Sequence, residues 1–153
     1  MAYQIQRKKT VDETLELLDA NGNVGCKVRV SLDADSIASE FTVRYRAVAE
    51  AQQKLKQYQE QVKNADEDEA IEGVAESMEL LGEAVISIFQ LIFGNDGAQQ
   101  IVKFYESRYL EMCLDIFPFI NNVVQPAIEK RLQDQHSQLV SKYAPAKKSI
   151  FRR

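Results

Sequence analysis

The residues that could do chemistry are few and scattered. His136 is the sole histidine, set between Gln135 and Ser137 in a polar segment. No Glu stands three residues before it, so the Glu-x-x-His pattern of di-metal sites in helical bundles is missing. A Ser-His or Cys-His pair needs an activated nucleophile beside the imidazole, and the chain has no nucleophile elbow. Cys26 and Cys113 form no CxxC pair, and Cys113 sits inside an apolar run, where a thiolate is disfavoured. Both read as buried free thiols in a reducing compartment, not as a disulfide framework or a zinc site. Ala65-Asp66-Glu67-Asp68-Glu69 gathers four carboxylates without the Gly turn or the spacing of a calcium loop. It reads as a solvated helix start, where negative charge meets the positive end of the helix dipole. Gly94-Asn95-Asp96-Gly97 lacks the lysine and the preceding strand of a phosphate loop. The expectation is no catalytic residue, no cofactor and no metal, and therefore a protein that works by binding other chains.

Composition narrows the partners. At 153 residues, 45% apolar and 27% charged, the chain suits one globular domain, expected over residues 1–145. Arg7, Lys8 and Lys9 give one end three positive charges, and Lys147, Lys148, Arg152 and Arg153 give the other four. Against a net charge of −4 this leaves −11 on the stretch between them. An acidic body repels phosphate, so nucleic acid is not expected as a partner. MAYQIQRKKT has charge but no apolar run after it, and is not a signal peptide. Leu80 to Phe93, the most apolar stretch, is interrupted by Gly82, Glu83 and Gln90 and reads as a core helix too short for a bilayer.

The elements that would position a binding surface follow from periodicity. Asn21-Gly22 marks a tight turn, and on its return arm Val24, Cys26, Val28 and Val30 alternate with small or charged residues, giving a β-hairpin over about 14–30. Two strands alone are marginal in water, so the hairpin should pack on helices or gain a third strand from Tyr3 to Gln6. Failing a third strand, it offers an open edge. Phe41, Val48, Leu55 and Val62 fall seven apart on a polar helix over 34–64. Ile71, Val74, Met78, Leu81, Val85, Ile88 and Ile92 step by three and four along a central helix over 67–93, which Gly94 ends. A third helix is expected over 97–114. A fourth over 116–140 should start at Asp115 and Pro118 and be kinked or split near Asn122 by Pro126. The fold class is thus mainly α, an N-terminal β-hairpin followed by about four helices in a small bundle, with residues 146–153 a disordered basic tail.

Phe104-Tyr105-Glu106, Tyr109-Leu110-Glu111-Met112, Asp115-Ile116-Phe117-Pro118-Phe119-Ile120 and Pro126-Ala127-Ile128 together resemble a recurring run in tail assembly chaperones of long-tailed (siphovirus-type) bacteriophages and prophages of Gram-positive hosts. The hairpin followed by a polar helix is similar too, though less specific. This resemblance implies a protein that binds the tape measure protein and keeps it soluble in the cytoplasm of the bacterial host. It also implies recruitment of the tail tube protein, self-association, and absence from the mature virion. An unassembled tape measure exposes apolar helical stripes, which an apolar helix-lined groove can take up. Such a groove is expected between the third and fourth helices, with Tyr105, Tyr109, Phe117 and Phe119 as anchors; a plain core face with hydroxyls at the surface is the alternative. Lys147-Lys148 near the end of the chain fits the ribosomal slippage that gives many such genes a longer second product. Two other functions share the size and the helices: a neck or head–tail adaptor that forms a ring, and a cytoplasmic helical regulator that binds DNA through its tails.

Overall fold

Asp19 opens the first turn, its carboxylate accepting the N–H groups of Asn21 (2.9 Å) and Asn23 (3.0 Å). Gly22 follows at φ 83°, the left-handed conformation that glycine adopts without a side-chain penalty. In the computed structural model, which describes residues 2–6, 9–62 and 67–143, this turn joins β1 (Val11–Leu18) to β2 (Val24–Leu32). The pair is antiparallel, with Val11 opposite Leu32 and Leu17 opposite Cys26. Leu18 then faces Val24, so Gly25 is an extra residue, a β-bulge beside the turn. One face is buried through Val11, Leu17, Cys26, Val28, Val30 and Leu32. The hairpin thus packs on helices, and among the described residues no third strand joins it: residues 2–6 are not in a strand, and Tyr3 and Ile5 are exposed.

Helix α1 (Ala34–Val62) starts where the Asp33 carboxylate accepts the N–H of Asp35 and the Thr10 hydroxyl accepts that of Ala34. Those two bonds tie the base of the hairpin to the helix. Phe41, Val48, Ala51 and Leu55 form its buried seam, as the seven-residue spacing predicts. Helix α2 (Glu67–Phe104) is the central element, with Leu81, Val85, Ile88, Phe89 and Ile92 buried. Gly94 breaks it at φ 77° and ψ 168°, and the limb beyond runs along the hairpin, with Gly97 against Val28 and Phe104 against Gly25. By length and composition alone Ile71–Phe104 is apolar enough to cross a membrane, longer than the sequence reading allowed. In this fold the stretch is broken at Gly94, and its apolar side chains other than Ile71 and Leu80 enter or pack against the common core.

The remaining chain departs from the expected four helices. Three joined helical stretches are present, because the third and fourth expected helices divide at 105–108 and not at Asp115. Glu106 (φ 53°) and Ser107 (φ 61°) both take the left-handed conformation, and the Ser107 N–H returns to the Val102 carbonyl (3.1 Å), a helix-ending turn made without glycine. Helix α3 (Tyr109–Phe119) then passes through a π turn (Ile120–Val124) into α4 (Gln125–Tyr143) as one rod. Pro118 lies inside α3 and withholds a donor from Leu114, on a turn whose side chain is 66% exposed. Pro126 likewise has no N–H for the Asn122 carbonyl. The wider π turn leaves room for its ring, so the expected kink is a local insertion and not a break. The expected disordered tail, 146–153, and Lys147-Lys148 within it lie outside the described residues.

Candidate protein-binding groove

The four aromatic side chains expected to anchor a client do not line one opening. Tyr105 is buried at the helix end, and its hydroxyl donates to Asp115 Oδ2 at 3.1 Å. Burial and the carboxylates of Asp115 and Glu111 hold that phenol well above the usual tyrosine range. Tyr109 lays its ring over Gly82 of α2, so close that a Cβ there would sit 2.7 Å from it. Phe117 packs between Tyr45 of α1 (6.0 Å between ring centres) and Phe89 of α2 (6.4 Å). Phe119 stacks on Phe93 at 6.4 Å and 25°. Tyr105 belongs to the buried core, and the half-buried Tyr109, Phe117 and Phe119 pack against it.

An open groove lies elsewhere, between α1 and α4. Its volume is about 390 Å³, with Phe41 and Ile128 as buried floor. Ala38, Thr42, Tyr45 and Ala49 line one wall at steps of four, three and four, a single helical face made mainly of small side chains. Gln125, Glu129 and Leu132 line the other at steps of four and three. Polar contacts pin the two helices at each end of the gap. Below, the Tyr45 hydroxyl donates to Asn121 Oδ1 at 2.7 Å. Above, Gln135 donates to Asp35, and Arg131 stands 3.8 Å from the same carboxylate. Between and beyond these contacts the small side chains of Ala38, Thr42 and Ala49 leave the groove open above its floor. Its dimensions suit one further helix laid across two, since small residues let a third backbone come near.

Burial pushes the Cys26 thiol up, and burial pushes Cys113 up against the opposing effect of Gln52, whose Nε2 donates to its Sγ at 2.8 Å. His136 is exposed on α4, one residue past the upper clamp. Among the described residues no group of three His, Cys, Asp or Glu side chains is placed to hold a metal ion. The chain matches no family model, no curated protein and no solved structure. Sequence reasoning missed the groove, although the spacing of Ala38, Thr42, Tyr45 and Ala49 was there to be seen as a second stripe on the first helix.

Proposed function

We propose that this protein is a tail assembly chaperone that binds helical segments of the tape measure protein and keeps them soluble, as its resemblance to that family implies. The observation that supports the reading is the α1/α4 groove, apolar at its floor, lined by small side chains and as long as three helical turns of α1. A client helix carrying an apolar stripe would bury it against Phe41, Ile128 and Leu132. Its register would be set by Arg46 and Glu129 at the rim. The binding face moves from the four aromatic side chains to this groove, because those rings are already packed.

Co-expression with a tape measure protein, followed by pull-down and a solubility assay, tests the proposal. The long protein should become soluble and co-purify, and Thr42→Arg with Leu132→Asp should abolish both effects while the helical circular dichroism stays unchanged. Tyr109→Ala should lower stability and leave client binding intact in the folded fraction. A client that remains insoluble and unbound with the unaltered protein would remove the chaperone reading. The ring-forming structural reading would then lead, with the protein expected in purified particles.

A further inference from the structure

The two strands of the hairpin are not equally covered. On their shared inner face Val28 and Val30 of β2 are 4% and 0% exposed. Their partners across the ladder on β1 differ: Leu15 is half-buried and Glu13 is exposed. The limb of α2 beyond Gly94 packs on β2, with Gly97 against Val28 and Phe104 against Gly25. Among the described residues no further strand pairs with β1. Its outer edge therefore presents a row of N–H and C=O groups along Val11–Leu18 with no ladder partner.

That edge has few of the guards that keep strands apart. β1 contains no proline, lysine or arginine, and its one irregularity lies at the turn end, between Leu17 and Leu18. Its guard is Glu13, a carboxylate where the alternation of Val11, Leu15 and Leu17 calls for an apolar side chain. A charge there turns away an apolar strand and admits one that brings a cation. Glu16 stands three residues on and so on the opposite face. Among the described residues neither glutamate has a cationic partner, while Asp12 is held by Arg29 at 3.2 Å. The edge thus fits an extended segment with two basic residues three apart, on opposite faces, and apolar ones beside Leu15 and Leu17. A second copy of β1 cannot supply them, because this strand has acids and no base.

We propose that β1 is a docking edge for an extended basic segment of another protein, which joins the sheet as a third strand and sets one lysine or arginine beside Glu13 and another beside Glu16. The backbone ladder holds an extended chain, and the two carboxylates select the basic one and fix its register. This edge shares no residue with the α1/α4 groove and does not depend on what the groove binds.

The probe is a synthetic peptide, Val-Lys-Val-Thr-Lys-Thr-Val, which laid antiparallel along β1 sets its lysines beside Glu16 and Glu13. Fluorescence anisotropy of the labelled peptide with the full chain should show saturable binding. A peptide of the same composition with both lysines on one face should bind about tenfold more weakly, which separates register from bulk charge. Glu13→Lys with Glu16→Lys should reverse the preference, so that the peptide with glutamate in place of lysine binds better, with circular dichroism unchanged. Methylating alternate backbone nitrogens of the peptide should abolish binding in one phase and spare it in the other, because only half of them face β1. No binding, equal affinity for the peptide with lysines on one face, or equal effects of the two methylation phases would each overturn the proposal. So would a dimer of the unaltered protein that the peptide dissociates, which would give the edge to a second copy. Thr42→Arg with Leu132→Asp should leave peptide binding unchanged, so this proposal and the client groove fail separately.

Discussion

The two seams that α2 and α1 make with the last helical rod are built from the same small residues and end differently. On the α2 side a glycine meets a ring: Gly82 lies under Tyr109, and the gap is closed. On the α1 side Ala38, Thr42 and Ala49 line a groove of about 390 Å³. A small residue is thus a lock where an aromatic side chain descends on it and an opening where none does. The closed seam carries stability through dispersion and excluded water. The open one carries an apolar surface whose contacts are left for another chain.

This contrast can be broken first on the closed side. Phe89→Ala removes a fully buried ring that meets both Phe93 (5.4 Å) and Phe117, and should cost about 3–5 kcal/mol in urea unfolding. Gly82→Leu, which drives a side chain into the Tyr109 ring, should cost about 1–3 kcal/mol by the same measurement. Alkaline titration probes the closed seam more gently. The folded state holds the Tyr105 phenol protonated above the ordinary tyrosine range, so the unfolded chain ionises first and stability should fall as pH rises past about 10. Tyr105→Phe should flatten that fall while leaving the profile near neutrality unchanged in shape. On the open side, Ala49→Leu should alter unfolding by less than about 0.5 kcal/mol, yet fill the groove and weaken client capture in pull-down. A large loss of stability from Ala49→Leu would mean that the groove is part of the packed core.

What could be read from the sequence was whatever local chemistry decides. The hairpin follows from Asn21-Gly22 and the alternation after it, the central helix from a three-four pattern without a slip, and its break from Gly94. The next boundary was hidden because Glu106 and Ser107 are poor candidates for left-handed backbone. There, burial of Tyr105 and its bond to Asp115 ten residues on outweigh the local preference. Asp115 and Pro118 read as a helix start and lie instead within α3, where a missing donor on an exposed turn costs little. The groove was illegible for another reason. Alanines spaced along a helix look the same whether a neighbour covers them or not, and that depends on the lengths of side chains on an element eighty residues away.

The π turn at Ile120–Val124 sets the direction in which α4 presents its faces. A π turn holds one residue more than the α-helical path it replaces, and each residue of a helix advances the direction of side chains by about 100°. The faces of α4 are therefore in phase with α1 only because of that extra residue. Deleting a single codon there would swing Leu132 and Leu139 a quarter-turn round the rod relative to α3. A change of one amino acid in the turn would thus re-aim the groove wall that begins at Gln125, directly after it.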